Sequence, residues 1–236
     1  VQFSAYVFDA SLIDILGTLR AGGCVCVISE SHRLDVKNLA IAMEAMNVNF
    51  ALLTPTVACL LDPHTVPSVQ TLGVGGERVP PEMIELWYPR PPSSSRPAVR
   101  IIEGYGPSEC TIAPTITGPL TDKSQAGNIG TPRACVTWVV DQDDFNFLVP
   151  IGAVGELLIE GPILSPGYLG DPEKTAASFI MNPEFIFTHG MSAGGDQPRR
   201  PRRMYRTGDL VRQSPVDGTL TYVGRKEGQV KIRGQR

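Results

Sequence analysis

The chain has 236 residues, 42% of them hydrophobic and 19% charged, and its 21 basic and 24 acidic side chains leave a formal net charge of −3. So much apolar material excludes an intrinsically disordered chain. The near-balanced charge excludes a generally basic nucleic-acid binder and gives no reason to expect a membrane surface as partner.

The first 115 residues switch between helical and strand periodicity. Leu12, Ile13, Leu16 and Leu19 recur at helical spacing, and Gly22-Gly23 ends that helix. Cys24–Ile28 reads as a short β-run, and Val36–Met46 as a helix with Leu39, Ala40, Met43 and Met46 inward. Phe50–Leu53 is a strand, and Pro55 opens a helix over Thr56–Leu61, as suits a proline in the first turn. Val69–Val74 is a strand, Pro80–Trp87 a helix and Val99–Glu103 a strand. Alternation of this kind implies a mostly parallel sheet covered by helices, an α/β unit. Beyond residue 117 the chain becomes a series of short β-runs, Thr137–Asp141, Gly155–Glu160, Met204–Arg206 and Thr219–Val223, with one helix at Pro172–Ile180. That is expected to be a β-rich, barrel-like second unit. Two stretches, Pro91–Pro97 and the Arg-rich His189–Arg203, read as solvated loop insertions.

Five cysteines (Cys24, Cys26, Cys59, Cys110, Cys135) form no C-x-x-C pair. They are expected to be buried free thiols in a reducing compartment, the cytoplasm. The histidines His32, His64 and His189 are scattered, so no metal-ligand spacing exists among them. Apolar runs such as Cys59–Leu61 are far short of the ~20 residues a membrane span requires. Val1–Phe8 shows no signal-peptide pattern, and the absence of an initiator Met suggests a cut-out piece.

Glycines gather in five stretches: GVGGE (73–77), EGYGPSE (103–109), GELLIEG (155–161), YRTGDL (205–210) and GRKEGQVKIRGQR (224–236). None matches a P-loop or a dinucleotide-binding fingerprint. EGYGPSE follows a strand, which puts its loop at the carboxyl edge of a parallel sheet, where open α/β folds bind ligands. Its Tyr105 offers a flat ring for a base, and Gly104 and Gly106 permit close backbone approach. Ser108 offers a hydroxyl to phosphate, and Glu109 the hard oxygen that Mg²⁺ prefers. Asp209 sits at a Gly-led turn where two carboxylate oxygens can grip a ribose diol, and Arg225 is never neutral.

In this order the stretches resemble the adenylation domains of nonribosomal peptide synthetases, within the adenylate-forming enzymes that include acyl-CoA synthetases and luciferases. The resemblance runs from Phe8-Asp9-Ala10-Ser11 to Arg236, and the two loop insertions give it a fungal look. It implies an ATP-dependent ligase with the partners such synthetases use. With Mg²⁺ and ATP, an amino acid becomes an aminoacyl adenylate. The acyl group then passes to the phosphopantetheine thiol of a peptidyl carrier domain, beside condensation domains of the same synthetase. By motif, Tyr105 stacks on adenine with Tyr222 near it, and Asp209 holds the ribose. Arg225 reaches ribose or phosphate, Ser108 contacts phosphate and Glu109 contacts Mg²⁺. Asp9 pairs with the substrate ammonium, although its own sequence context also fits a helix N-cap.

The remaining pocket positions align as Ala10, Ile13, Leu52, Gly73, Gly75, Gly104, Ile112 and Ala113. All are apolar and three are glycine, which predicts a bulky, largely apolar amino acid. The change of texture near Gly118-Pro119 divides the chain into residues 1–118 (α/β) and 119–224 (β-rich), and the resemblance makes 225–236 the region that holds the hinge at Glu227. Departures are Glu103 and Ser108, where the family carries Asn and Thr, so Glu103 is expected to add a negative charge near the substrate carboxylate. The family's phosphate loop and C-terminal lysine domain are expected before Val1 and after Arg236, so these residues alone are expected to form no adenylate. A fatty- or aryl-acid ligase and a degenerate scaffold module are the competing readings.

Overall fold

The computed structural model describes residues 1–88, 99–189 and 201–226. Most of both loop insertions, and Glu227, lie outside the described residues. The strands are β1 (Phe50–Leu53), β2 (Thr71–Gly75), β3 (Arg100–Tyr105), β4 (Thr115–Ile116) and β5 (Asn128–Pro132). They continue with β6 (Val136–Val140), β7 (Val154–Glu160), β8 (Phe179–Met181), β9 (Arg203–Gln213) and β10 (Leu220–Arg225).

All ten belong to one mixed sheet in the order β1-β2-β3-β4-β5-β10-β9-β7-β6, with β8 paired to β9. Only β1-β2-β3 run parallel, so the sheet is mixed rather than mostly parallel. Connection length explains this. A parallel pair needs a crossover of a dozen or more residues. β1 to β2 and β2 to β3 have that room, and the helices Pro55–Leu60 and Pro81–Trp87 fill it. From β3 to β4 only residues 106–114 intervene, and the chain turns back antiparallel. The order passes from β4 through β5 to β10 without a break, so the β-rich half extends the same sheet.

Local signals set the helices. Thr54 accepts from the Val57 N–H with Pro55 in the first turn, and Asp35 accepts from the Asn38 N–H to start Val36–Ala45. Those two helices and Pro81–Trp87 cover Ala51, Leu53, Leu72, Val74 and Ile101 in the first core. Trp87 Nε1–H donates to Ala58 O at 2.8 Å inside it, tying two helices together. β7 lies between two further clusters, with Leu157 and Ile159 facing one and Leu158 the other. Burial of both faces is why GELLIEG has an unbroken apolar run. Each of those side chains contributes about 1.5–3 kcal/mol of burial.

Four expectations are corrected. Cys24–Ile28 forms no strand beyond a single bridge between Gln2 and Val27. Its cysteines therefore share no core face, and Cys24 and Cys59 are exposed. All five thiols are free, but only Cys110 is fully buried, and burial pushes its pKa up. The helix at Pro172 stops at Ser178, and Phe179–Met181 forms β8 because its aromatic and branched residues pair with β9. The helix over residues 10–20 forms with a π turn at Ile13–Gly17, but Leu12, Leu16 and Leu19 are 47%, 59% and 56% exposed. Asp14 is buried instead, because its Oδ2 accepts the N–H groups of Phe3 and Ser4 at 3.1 and 2.9 Å. No helix among the described residues is long and apolar enough to cross a membrane.

Candidate functional site

One sheet face is lined by small residues. Leu52, Gly73 and Ile102 lie in register across β1, β2 and β3, and Gly75 stands opposite Gly104 two residues further along. A Cβ at Gly73 would lie 3.1 Å from Leu52 Cδ1, and one at Gly104 would lie 3.4 Å from Ala113 Cβ. Leu52, Gly73, Gly75, Gly104 and Ala113 are thus brought together. Asp9, Ala10 and Ile13 form a separate group at the helix start, and no hydrogen bond among the described residues ties them to this face. Asp9 has helical φ and ψ of −61° and −24°, and its side chain makes no capping bond. Its Oδ2 is buried without a partner. The N-cap alternative is therefore excluded.

The loop after β3 is packed against the segment that follows it. At Gly106 a Cβ would fall 2.2 Å from Ile112 O and 2.3 Å from Pro114 Cδ. Thr111 and Ile112 carry positive φ values of 53° and 72°. That is costly for a β-branched residue and is the kind of strain found at functional sites. Ser108 is exposed at the start of a short turn, Ser108–Cys110. Glu109 Oε1 accepts from Tyr168 Oη at 2.7 Å, and Tyr168 lies 3.4 Å from Tyr205 hydroxyl to hydroxyl. Among the described residues no three His, Cys, Asp or Glu side chains cluster. A single carboxylate at Glu109 nevertheless suits Mg²⁺, which is commonly held by one or two carboxylates plus substrate phosphates.

Tyr105, Asp209, Arg225 and Tyr222 converge. Tyr105 Oη donates to Asp209 Oδ2 at 2.6 Å, and Arg225 Nη1 donates to Asp209 Oδ1 at 3.1 Å. Arg225 stands directly opposite Asp209 on the β9–β10 ladder, and Tyr222 two steps away. Each carboxylate oxygen has two acceptor directions, so each keeps one beyond these bonds. Arg225 Nε is buried without a partner. Burial pushes the pKa of Tyr105 well up, and the neighbouring Asp209 adds to it, so its hydroxyl stays a donor. Tyr105 packs with Cys110 and Ile129, so its ring is largely enclosed.

Glu103 corrects an expectation. It lies on the face opposite Gly104, beside Ile101, and its Oε2 is buried without a partner. Burial pushes its pKa up to about 8, against the opposing pull of Arg78. Burial thus favours its neutral form at pH 7 over the negative charge expected there. A carboxyl with a raised folded pKa binds more protons folded than unfolded between the two values. Its cost is absent below the unfolded pKa and grows as pH rises toward about 8. Glu103→Gln is expected to raise Tm at pH 8 by several degrees, with the gap closing by pH 5. Thermal melts across that range check it, and a gap widening toward acid refutes it.

Sequence reasoning missed three side chains here. Tyr168 lies in the GYL of residues 167–169, Glu156 in GELLIEG and Thr207 in YRTGDL. Glu156 and Thr207 belong to stretches singled out for their glycines or their aspartate, whereas Tyr168 lies outside all five stretches. For Glu156 the signal available was a polar residue beside an apolar strand run; Thr207 and Tyr168 carried none.

The family model described as AMP-binding enzyme matches residues 1–169. The chain is 52% identical over its full length to nonribosomal peptide synthetase easA of Emericella nidulans, of which it spans 3%. It is 47% identical to D-lysergyl-peptide-synthetase subunit 1 of Claviceps purpurea, spanning 6% of that protein. Among solved structures it is similar to the Vibrio cholerae adenylation domain AlmE in complex with glycyl-adenosine-5′-phosphate. There the TM-score is 0.78 and the identity 30%, with 100% of this chain and 41% of that one covered. A second is a holo nonribosomal peptide synthetase protein containing adenylation and PCP domains, bound to a vinylsulfonamide inhibitor. Its TM-score is 0.79 and its identity 27%, covering 99% of this chain and 38% of that one. With the fold, the motif order and these matches in agreement, the chain belongs to the AMP-binding enzyme family.

Proposed function

We propose that these residues form the amino-acid and nucleoside pocket of an adenylation domain in nonribosomal peptide synthesis. The amino-acid carboxylate attacks the α-phosphate of ATP, giving an aminoacyl adenylate and pyrophosphate. The phosphopantetheine thiol of a peptidyl carrier domain then takes the acyl group as a thioester and AMP leaves, with condensation domains of the same synthetase as further partners. The observation that carries the amino-acid reading is Asp9, whose buried Oδ2 lacks any partner in the protein. A buried carboxylate oxygen needs a donor, and a substrate ammonium is one. A fatty or aryl acid has no α-ammonium to offer.

The other roles are those the motifs imply, and the placement of these residues supports them. Asp209 turns its open acceptor directions to the ribose hydroxyls, and Tyr105, held to it through its hydroxyl, lies against adenine with Tyr222. Arg225 reaches ribose or phosphate, and its unsatisfied Nε supports a further acceptor. Ser108 donates to phosphate, while Glu109, oriented by Tyr168, is the residue that would hold Mg²⁺. When bound, that ion neutralises charge on the phosphate oxygens. Ala10, Ile13, Leu52, Gly73, Gly75, Gly104, Ile112 and Ala113 shape a cavity for a bulky apolar side chain. Catalysis of this kind is positioning and charge stabilisation rather than attack by a protein nucleophile.

In this reading residues 1–118 are the α/β sheet subdomain with the pocket, 119–224 the β-rich subdomain that extends the same sheet, and 225–236 the hinge region with Glu227. Five free thiols support a cytoplasmic location. The test is pyrophosphate exchange by the full-length polypeptide carrying these residues, against a panel of amino and fatty acids. Bulky apolar amino acids are expected to support exchange. Exchange with fatty acids alone, or with nothing, overturns the proposal.

A further inference from the structure

β9 leaves its ladder with β7 at the site. Leu158 pairs with Arg206, but Glu156 pairs with Leu210, so Thr207, Gly208 and Asp209 stand opposite Leu157 alone. A bulge of this kind re-aims a side chain and strips backbone groups of their ladder partners. Such groups, when buried, need replacements. The structure supplies them from two side chains. Glu156, only 1% exposed, accepts the Gly208 N–H on Oε1 at 3.3 Å. The Thr207 hydroxyl donates to Leu157 O at 2.8 Å and accepts the Asp209 N–H at 3.0 Å. The Arg206 guanidinium meets both Glu156 oxygens, at 3.3 and 2.9 Å, so the buried charge is balanced. Gly208 has φ +68°, and a Cβ there would lie 3.1 Å from Arg225 Nη2.

We propose that Glu156, acting with Thr207, is a positioning residue of the nucleotide site, holding the Thr207-Gly208-Asp209 bulge so that Asp209 faces the ribose. It touches neither nucleotide nor amino acid and acts through the Gly208 amide. The inference rests on the reading above that Asp209 holds the ribose hydroxyls. Its consequence is sugar selectivity. A carboxylate held in place distinguishes a ribose diol from a deoxyribose, whereas a loosened one does not.

The experiment measures pyrophosphate-exchange kcat/KM with ATP and with 2′-deoxy-ATP in the full-length polypeptide. Variants are Glu156→Gln, Glu156→Leu, Thr207→Val and Asp209→Asn, each checked by thermal melt. The unsubstituted protein is expected to prefer ATP by about tenfold or more, the scale of one charged hydrogen bond. Glu156→Gln keeps an acceptor for Gly208 and is expected to stay within about threefold of that ratio. Glu156→Leu and Thr207→Val are expected to pull the ratio toward one, with KM for the amino acid unchanged. A merely structural loss would lower both nucleotides equally and leave the ratio intact. If Asp209→Asn collapses the ratio while Glu156→Leu preserves it, the inference falls and the ribose reading stands. Should Glu156→Leu fail to fold, an unchanged ratio in Thr207→Val overturns the inference. If Asp209→Asn leaves the ratio intact, the ribose reading itself fails.

Discussion

Asp9→Ala is expected to lower kcat/KM for the amino acid by about 10²- to 10³-fold, the loss that follows from removing one partner of a buried ion pair. The size follows from what surrounds the carboxylate. Its Oδ2 is shut off from water and receives no hydrogen bond from the protein. Nor does it cap its helix, since Asp9 already has helical backbone angles and its side chain makes no cap bond. An unsatisfied buried oxygen costs the free protein about 1–3 kcal/mol, which ligand binding would relieve. The same substitution is therefore expected to leave Tm unchanged or raise it, a separation of activity from stability that structural residues do not show. Pyrophosphate exchange and a thermal melt on one preparation measure both. Unchanged exchange with a Tm lowered by several degrees would make Asp9 a structural residue.

Gly106→Ala is expected to be strongly destabilising. The added Cβ would meet Ile112 O at 2.2 Å and Pro114 Cδ at 2.3 Å. The first neighbour is main chain and the second a fixed ring, so neither can swing aside. Relief requires moving Thr111 and Ile112, which already sit at positive φ. We expect a loss of about 3 kcal/mol or more, which for a chain of this size lowers Tm by about 6–12 °C. Gly118→Ala is the control, because a Cβ there meets nothing within 4 Å. It is expected to be neutral or slightly stabilising. Circular dichroism melts of the two decide, and equal Tm values would show that the loop yields freely.

What was legible in the sequence was whatever local chemistry decides. Pro55 and the apolar spacing of Leu39, Ala40 and Met43 marked their helices because a first-turn proline and periodicity act over a few residues. The parallel β1-β2-β3 core was legible for the same reason. The antiparallel return at β4 was not, because a two-residue strand has no periodicity of its own. Within the site, Asp209 and Arg225 were readable from their motifs, and the ladder sets them opposite each other. The Glu156 bond to Gly208 was hidden, since it spans 52 positions and depends on a slipped register. Glu103 was misjudged for a related reason. A sequence gives its formal charge, whereas the face of β3 on which it lies sets its ionisation.

The three glycines of the pocket face are not equally replaceable, and this bears on how such a pocket diverges. At Gly75 a Cβ would strike Gly104 O at 2.5 Å, so that position is held by the main chain of the next strand. At Gly73 the obstacle is the movable end of Leu52, and at Gly104 only the methyl of Ala113 at ordinary contact distance. Lineages descending from this chain therefore have two dials for narrowing the cavity and one stop that does not turn. On the pocket reading proposed above, substrate choice is expected to shift by single substitutions at 73 and 104 while the sheet beneath stays as it is.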